Sequence, residues 1–422
     1  MSEDAPYRAL RHRDYRHLAL SQGVSLIGTQ MQVAAINWHV YLLSGSPWAL
    51  GMIGLTRVAP LILFSLWGGI VADRHDRKRV IFAAQSVLAL LACGLAWATW
   101  KSHDTLWLVY AVNAVAAAAS AFDNPARQAL VPRLVPAKQL AGALSLNLSA
   151  FNFATIAGPA LSGLLLAGTS REHFAGRDSL AIIYALNALS FLGVLIAVAT
   201  IRTAGTVEPR DGEHPAFFAS LREGLQFVFS TPIMIATMAL DFFATFWAGS
   251  LLLLPIVADQ ILGVGARGYG FLAAAPAVGA LLGSLYTSVR ILPKRQGPIL
   301  LGAVAFYGCA TIVVGLSRSF WLTLLALALS GLADVISTVI RQTLRQLLTP
   351  DALRGRMTSI NMIFFQGGPQ LGELEAGLLA GLFASAAVGT TVSIVSGGAM
   401  TLVTVLVIDR LAPYVRRYRA PV

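Results

Sequence analysis

Long stretches of this sequence contain no charged side chain. A helix needs about 20 apolar residues to cross the hydrocarbon core of a bilayer, and several uncharged runs have that length. Five of them are residues 139–170, 179–201, 268–289, 296–317 and 376–408. Composition agrees, because 56% of the 422 residues are hydrophobic and 12% are charged, whereas soluble domains average about 25% charged residues. The sequence therefore predicts an all-α protein that crosses a membrane many times.

The distribution of basic residues predicts the orientation of the chain. The apolar pattern predicts twelve spans, roughly at 18–43, 48–72, 79–100, 105–125, 139–168, 179–201, 230–258, 268–289, 298–317, 320–340, 356–384 and 388–409. Of the 31 Lys and Arg residues, 25 fall on one side of these spans and 5 on the other, and Arg57 falls inside a span. Basic residues accumulate on the cytoplasmic side of membrane proteins. Both termini are therefore expected in the cytoplasm.

Several functional classes lack their signatures in this sequence. The two cysteines, Cys93 and Cys309, lie in apolar runs, which argues against a disulfide framework or a metal site. The sequence contains no Gly-x-x-x-x-Gly-Lys-Ser/Thr loop for a nucleotide and no motif for a catalytic nucleophile. The net charge of +11 is explained by the cytoplasmic loops, so it does not require a nucleic-acid partner. We therefore expect no enzyme activity and no cofactor.

A pattern in the first half of the chain returns in the second half at a constant offset of 214 residues. The recurring positions are Arg127-Gln128, Leu130, Leu134, Pro136, Ser145, Asn147, Gly158 and Gly163, which match Arg341-Gln342, Leu344, Leu348, Pro350, Ser359, Asn361, Gly372 and Gly377. Two parallel six-helix halves are the architecture of one large class of transporters. We therefore predict halves at residues 1–201 and 221–422, joined by a cytoplasmic linker at 202–220.

Two motifs resemble those of the major facilitator superfamily of transporters. The first is the loop signature between helices 2 and 3, here Gly69-x-x-x-Asp73-Arg74-x-x-Arg77-Lys78. The second is the antiporter-type motif of helix 5, here Gly158-Pro159-x-x-x-Gly163. Small residues allow close helix packing in such a motif, and proline interrupts backbone hydrogen bonding. The resemblance implies the major facilitator fold, with twelve transmembrane helices in two pseudo-symmetric six-helix halves.

A third stretch is similar to one branch of that superfamily. The run Phe122-Asp123-Asn124-Pro125-Ala126-Arg127, followed by Leu134-Val135-Pro136, resembles bacterial exporters that include the enterobactin exporter and macrolide-efflux proteins. Two features depart from the family pattern. Asp76 stands where the loop signature usually has glycine, and span 4 lacks the Arg-x-x-x-Gly that is often linked to proton coupling.

The resemblance implies an inner gate at the cytoplasmic ends of the helices. Its predicted members are Gly69, Asp73, Arg74, Arg77, Lys78 and Asp123. By the family parallel, Arg77 pairs with Asp123, and Asp73 faces the N-terminus of span 11 near residues 356–359. A carboxylate at a helix N-terminus contributes about 0.3–1 kcal/mol. The alternative is that these charges only set the topology and solvate a loop.

An outer gate is predicted from charges within the spans, because intramembrane charges are costly and usually functional. Arg57 lies nine residues into span 2, about 14 Å from its outer end at 1.5 Å per residue. Glu373 and Glu375 lie at nearly the same depth in span 11, which faces span 2 in the family. We therefore predict that Arg57 pairs with one of these glutamates and that protonation of the glutamate opens the pair. The alternative is a static salt bridge.

The family fold lines a central cavity with spans 1, 4, 7 and 10. The predicted cavity residues are Gln30, Asn37, Asp241, Phe242, Phe246 and Trp247. An acid among aromatic rings can bind a cationic or catechol-like amphiphile or carry a proton, and the alternative is a hydrogen-bonded packing residue. Asp334 is expected to form a structural pair with Arg290. His39, near the outer end of span 1, is expected to be interfacial, with proton acceptance as the alternative.

Together, the residues and the resemblance predict a secondary transporter in a bacterial inner membrane. We expect it to export amphipathic small molecules, such as siderophores or drugs, by alternating access. No ATP-binding motif is present, so an ion gradient must drive transport, and proton antiport is favoured. The expected partners are the transported molecule, protons and membrane lipids, and the chain is expected to be a monomer. The alternatives are an importer or uniporter, or a sensor or scaffold that has the same fold and transports nothing.

Overall fold

The structure, a computed structural model, describes residues 6–168, 175–203, 205, 226–289, 294–349 and 354–419. This described part contains helices and no strand. Its twelve long helices are α1 (Arg13–Ser44), α2 (Pro47–Arg74), α3 (Arg77–Trp100), α4 (Leu106–Leu134), α5 (Leu140–Gly168), α6 (Ala175–Thr200), α7 (Pro232–Trp247), α8 (Gly265–Val289), α9 (Gln296–Leu316), α10 (Phe320–Leu348), α11 (Arg354–Gly381) and α12 (Ala386–Leu411). Helices suit a bilayer because they satisfy their backbone hydrogen bonds within one segment.

Ten of these helices are long and apolar enough to cross a membrane, as judged for the described residues, when α7 is counted together with its helical continuation to Ile261. The exceptions are α1 and α11. In α1 the polar side chains of Gln22, Gln30, Gln32 and Asn37 lower the mean hydropathy. The predicted class, an all-α protein with many membrane spans, is confirmed.

Two helices extend further than the sequence predicts, and both carry a buried arginine. The predicted span 4 ends at 125, but α4 continues through Pro125 to Leu134. The predicted span 10 ends at 340, but α10 continues to Leu348. Arg127 and Arg341 therefore lie inside helices and are 8% and 4% exposed. The 25 basic residues assigned to cytoplasmic loops thus include two that are buried, which is a correction to the sequence analysis.

The chain forms two compact units. The first contains Met1–Ser44, Thr56–Pro209 and Gly265–Ala274, and the second contains Gly45–Leu55, Arg210–Val264 and Ala275–Val422. Relative to the predicted halves, the first turns of α2 and of α8 are exchanged between the units. Most of the predicted linker at 202–220 lies outside the described residues.

Glycine contacts explain this exchange. In the second unit, the start of α2 lies against α11 where Gly51 meets Gly377, and a Cβ on Gly51 would lie 2.8 Å from the Cα of Gly377. In the first unit, the start of α8 lies against α5 where Gly270 meets Gly163, with a Cβ on Gly163 at 2.5 Å from the Cα of Gly270. Backbones approach this closely only where both residues lack a side chain.

Each unit has its own buried apolar core. In the first unit, Tyr15 of α1 and Ile81 of α3 pack with Leu130 and Val194 from α4 and α6. The Tyr15 hydroxyl also donates a hydrogen bond to the Ala143 carbonyl at 2.8 Å, which connects α1 to α5.

In the second unit, the core is formed by Leu240 of α7, Leu300 of α9, Ile340 of α10 and Val405 of α12. These cores fix the helices from which the polar side chains of the site project.

The helical path of α7 changes geometry at its C-terminal end. After Trp247 the chain continues as a 3₁₀ helix over Ala248–Leu253, a short α-helical turn and a π-helix over Val257–Ile261. Pro255 lacks a backbone donor, which disfavours a regular α-helix here. Gly249 lies against Gly372 of α11, so the backbone approaches its neighbour closely at this irregular segment.

Candidate functional site

A buried ion pair joins α7 to α10 within the second unit. Arg341 Nη2 lies 2.7 Å from Asp241 Oδ1. Both residues are buried, with Asp241 8% exposed and Arg341 4% exposed. Arg345, one turn further along α10, adds a second positive charge close enough to interact with Asp241. Because both partners are removed from water, the loss of either one would leave an uncompensated charge inside the protein.

A second carboxylate lies beside the same arginine. Asp334 Oδ1 is 4.0 Å from Arg341 Nη2, and its side chain is about half exposed. Asp334 and Arg341 border a narrow cavity of about 10 Å³, together with Thr245, Tyr307 and Ser337. That volume holds about one water molecule. The cluster therefore contains two acids, one central arginine and space for water.

The equivalent arginine in the first unit is paired differently. Arg127, which precedes Arg341 by the repeat offset, donates to Asp123 Oδ2 from Nε at 3.1 Å and from Nη2 at 2.7 Å. Asp123 lies four residues earlier on the same helix. The repeat matches it to Ser337, whose hydroxyl accepts a hydrogen bond from Arg341 Nη1 at 2.6 Å. The first unit thus pairs its arginine within α4, whereas the second unit takes the carboxylate from another helix.

The structure gives two acids partners that the sequence analysis did not name. Asp123 pairs with Arg127, one helical turn away and on the same side of α4, and its predicted pairing with Arg77 stays a prediction. Asp334 was expected to pair with Arg290, which lies outside the described residues. The cation found beside Asp334 is Arg341.

The unusual Asp76 of the loop signature has a structural role. Its carboxylate accepts hydrogen bonds from the backbone N–H groups of Lys78 at 2.8 Å and Arg79 at 3.4 Å, and so caps the N-terminus of α3. The Lys78 ammonium group donates to the Ile201 carbonyl at 2.6 Å, at the C-terminal end of α6. Asp76 and Lys78 therefore fix the start of α3 and its contact with α6.

The remaining residues of the loop signature are distributed around the turn. Arg74 is exposed, and the backbone N–H of Arg77 donates to the Gly205 carbonyl at 3.1 Å. The side chain of Asp73 lies outside what the structure describes, so its contact with span 11 stays a prediction. A Cβ on Gly69 would meet no atom within 4 Å, whereas one on Gly68 would overlap the Ala121 carbonyl of α4. The close contact between α2 and α4 thus depends on Gly68 and not on Gly69.

The predicted outer-gate residues belong to different units. Arg57 Nε donates to the side-chain oxygen of Asn113 in α4 at 3.4 Å. In the second unit, Glu373 lies against Gly54, where a Cβ would be 3.1 Å from Glu373 Oε2. The pairing of Arg57 with Glu373 or Glu375 stays a prediction.

The predicted cavity residues of α1 contact two other helices of the first unit. Gln30 lies against α5 at Gly158, where an added Cβ would overlap the Gln30 side chain. The side chain of Asn37 hydrogen-bonds with the hydroxyl of Tyr269 in α8. That hydroxyl also donates to the Ala34 carbonyl at 3.0 Å.

The predicted aromatic residues of α7 form one group. The ring centroids of Phe242 and Phe246 are 6.1 Å apart, and those of Phe246 and Trp247 are 4.9 Å apart. A Cβ on Gly372 would overlap the Phe246 carbonyl, and one on Gly368 would lie 3.3 Å from the Phe242 ring. This aromatic group is therefore in direct contact with α11.

The repeated glycines make equivalent contacts in the two units. Gly158 packs on α1 and Gly372 packs on α7, which are the first helices of the two predicted halves. Pro159 adds its carbonyl to the contact between α5 and α8, where a Cβ on Gly270 would lie 2.8 Å from it.

A buried polar cluster near the C-terminal end of α1 includes Asp104, which the sequence analysis did not single out. His39 is 1% exposed, and its Nε2 lies 2.8 Å from Asp104 Oδ2 and its Nδ1 3.0 Å from the Tyr184 hydroxyl. Arg177 Nε lies 3.5 Å from the same carboxylate. Burial alone would raise the pKa of Asp104, but the His39 hydrogen bond and the nearby Arg177 hold it below its usual value. These partners allow the complete burial of His39, and its predicted position at the membrane interface stays a prediction.

Comparisons with known proteins agree with the motifs. The family model described as transmembrane secretion effector, a major facilitator family, matches residues 4–416. The enterobactin exporter EntS of Shigella boydii serotype 18 is 25% identical over 408 residues, which cover 97% of this chain and 94% of the relative. EntS of Escherichia coli O1:K1 matches with 25% identity over 408 residues as well.

Solved structures show the same fold. A bacterial homologue of the human lysosomal transporter Spinster, in an inward-facing and occupied conformation, has a TM-score of 0.75 at 15% identity and covers 97% of this chain and 99% of that one. A bacterial homologue of the iron transporter ferroportin has a TM-score of 0.69 at 16% identity, with 96% and 98% coverage. At such identities the likeness shows the fold and not the substrate.

Proposed function

Because the chain belongs to the transmembrane secretion effector family of major facilitator transporters, we propose that it exports amphipathic small molecules across a bacterial inner membrane. Relatives at 25% identity that are named enterobactin exporters support the choice of export. A siderophore is thus the first candidate substrate, and drug-like amphiphiles are the second. Transport proceeds by alternating access and uses proton antiport as its energy source.

One observation supports the choice of protons: the buried pair of Asp241 and Arg341 between α7 and α10. An unpaired charge inside a membrane protein is costly, so such a pair separates readily only when one partner is neutralised. A proton on the Asp241 carboxylate neutralises it and releases Arg341. The adjacent cavity of about 10 Å³ has space for a water molecule that delivers a proton, and it has no space for an organic cation.

Asp334 gives the released arginine a second acceptor. Its carboxylate is 4.0 Å from Arg341 Nη2, so a change of side-chain rotamer is enough to exchange one acid for the other. The exchange keeps the arginine paired while it disconnects α10 from α7. In the proposed cycle, protonation of Asp241 accompanies one direction of the conformational change, and deprotonation accompanies the other.

Uptake into everted membrane vesicles tests this proposal. An acid-inside gradient should drive accumulation of enterobactin, and a protonophore should abolish it. Asp241→Asn should reduce gradient-driven uptake at least about tenfold, because the neutral amide cannot take up and release a proton. Asp409→Asn is the matched control, since Asp409 pairs with Arg416 at 3.1 Å at the exposed end of α12 and should leave uptake unchanged.

The outcomes separate the competing functions. Uptake that is insensitive to the protonophore would exclude proton antiport and leave a uniporter. Accumulation in right-side-out vesicles under the opposite gradient would indicate an importer. If wild-type protein moves neither enterobactin nor any of a panel of siderophores and dyes, the sensor or scaffold alternative replaces export.

A further inference from the structure

The side chain of Arg57 is positively charged and lies within a predicted membrane span. Its hydrogen-bond partner within the same unit is the neutral side-chain amide of Asn113. Arg57 lies ten residues after Pro47, the first residue of α2, and therefore about 15 Å along the helix. In the described part of the first unit, the Asn113 side chain accepts from its Nε at 3.4 Å. The Nη2 group is buried without a hydrogen-bond partner. Ionised side chains at such depth are costly and are kept for function.

In the first unit, the described neighbours of this guanidinium group are the Asn113 side chain and the Tyr269 hydroxyl. The Asn113 amide nitrogen donates to the Thr56 hydroxyl at 2.8 Å, which orients the amide oxygen toward Arg57. The Tyr269 hydroxyl lies within electrostatic range of Arg57 and hydrogen-bonds with the Asn37 side chain. The Asn113 oxygen thus accepts from Arg57 Nε, and the Arg57 Nη2 group keeps its N–H donors without a hydrogen-bond partner. These donors belong to a charged group, so an anion that reached them would form charge-assisted hydrogen bonds.

Asp241, the acid in α7, is not available to bind a charged group of the substrate. Asp241 is already neutralised by Arg341 at 2.7 Å, so it offers no free negative charge to a cationic substrate. The sequence analysis assigned Asp241 to cation binding as one option. Arg57, by contrast, is a positive charge whose Nη2 group is buried and has no hydrogen-bond partner.

We propose that Arg57, with Asn37 and Asn113, binds the acidic group of the transported molecule and so selects anions over their neutral counterparts. This inference rests on the transport function proposed above and adds the chemical class of the substrate. Arg57 acts as a recognition residue in ligand binding, whereas Asp241 and Arg341 carry the coupling proton.

A matched pair of ligands tests the charge preference. 1-Naphthoate and 1-naphthamide share one ring system and differ in charge at the carbonyl group. Purified wild-type protein in detergent should bind the acid at least about tenfold more tightly than the amide, as expected for a charge-assisted hydrogen bond. Arg57→Gln should abolish this preference, and Arg57→Lys should retain part of it. Arg416→Gln removes a surface arginine and should leave the preference intact.

Three results would overturn the proposal. The first is equal binding of acid and amide to wild-type protein, and the second is an unchanged preference in Arg57→Gln. The third is a double variant, Arg57→Glu with Glu373→Arg, that restores the preference for the acid, since this would assign Arg57 to a salt bridge. The binding assay needs no proton gradient. Its result can therefore be interpreted even if proton-driven export is not observed.

The stability of the ligand-free protein gives a second, independent readout. An arginine kept for a ligand contributes little to folding, so Arg57→Met should unfold at the same temperature as wild-type protein or higher. A purely structural arginine would lower that temperature when replaced. A clear loss of thermal stability in Arg57→Met would therefore count against the anion site.

Discussion

Single side chains at the inner turn determine where α3 begins. Asp76 departs from the family's loop signature, yet it accepts hydrogen bonds from two backbone N–H groups that would otherwise lack partners at the helix start. The glycine usual in the family can form the turn but provides no side-chain acceptor. Asp76 therefore lacks the backbone freedom of glycine but provides a helix cap.

Replacement of Asp76 should remove the stabilisation that its helix cap provides. Asp76→Ala is expected to lower the free energy of unfolding by about 1 kcal/mol, measured by titration with SDS in mixed micelles. Asp76→Asn retains an oxygen acceptor and should lose less than half of that amount. Equal losses in the two variants would show that the hydrogen bonds to Lys78 and Arg79 do not stabilise the fold.

The outer cluster of Asp104, His39 and Arg177 predicts a response to acid. The pKa of Asp104 in the folded protein is below the ordinary value of 3.8. Its contribution to stability is therefore complete above pH 3.8 and is lost as the pH falls through the folded-state pKa. Asp104→Asn removes a hydrogen bond to a charged group and should cost about 1.5–3 kcal/mol at pH 7.

The measurement is the difference in unfolding free energy between wild type and Asp104→Asn from pH 7 to pH 3. This difference should shrink below pH 4, because a protonated Asp104 also lacks the charge. Asp178→Asn, at an exposed site on α6 next to Arg177, is the control and should cost little stability at pH 7. Parallel pH profiles for wild type and Asp104→Asn would contradict the assigned role.

At the scale of helices, glycine decides which pairs pack closely. Gly372 of α11 lies on the Phe246 carbonyl of α7, so a Cβ there would overlap the neighbouring backbone. Gly367, on the same helix, has no atom within 4 Å of the position that a Cβ would occupy. The two glycines therefore form a matched pair in which only the neighbouring helix differs.

Alanine at these positions should have opposite effects. Gly372→Ala is expected to destabilise the protein by about 1–3 kcal/mol, as overpacking does. Gly367→Ala should be neutral or stabilise by up to about 1 kcal/mol, since alanine favours the helix. Thermal unfolding in detergent compares the two variants directly, and similar shifts in both would mean that the contact between α7 and α11 relaxes without cost.

The helices could be predicted because their length and apolar character follow from the local amino-acid composition. The ends of α4 and α10 were not, since Arg127 and Arg341 resemble loop residues until a carboxylate partner is known. The partner of Arg341 is Asp241, which lies 100 positions earlier in the sequence and in another helix. The repeat that matches Arg127 to Arg341 was the one signal for a shared role, and it could not reveal that the two arginines pair differently.

For the whole molecule, the motifs were sufficient to identify the superfamily, and the family match confirms it. Contacts between helices that are far apart in the sequence were harder to predict. Gly51 and Gly270 carry no motif of their own, yet they determine which unit the first turns of α2 and α8 join. The cluster of His39, Asp104 and Tyr184 was also missed, because its members come from three separate segments.

The orientation in the membrane is a prediction for the whole chain. Single cysteines are introduced at exposed Ser102, after α3, and at exposed His75, before α3, in a chain with Cys93→Ala and Cys309→Ala. A membrane-impermeant maleimide added to intact cells should label Ser102→Cys and should label His75→Cys only after permeabilisation, because basic loops stay in the cytoplasm. The reverse labelling pattern would place both termini outside.

The 3₁₀ segment Ala248–Leu253 has a mechanical consequence for α7. A 3₁₀ helix rises about 2.0 Å and turns about 120° per residue, compared with about 1.5 Å and 100° in an α-helix. Rewinding these six residues into an α-helix would shorten the path by about 3 Å and rotate one end by about 120°. Asp241 lies before this segment and Pro255 after it. Such a rewinding would turn the residues after the segment relative to α7 while the ion pair to α10 stayed in place.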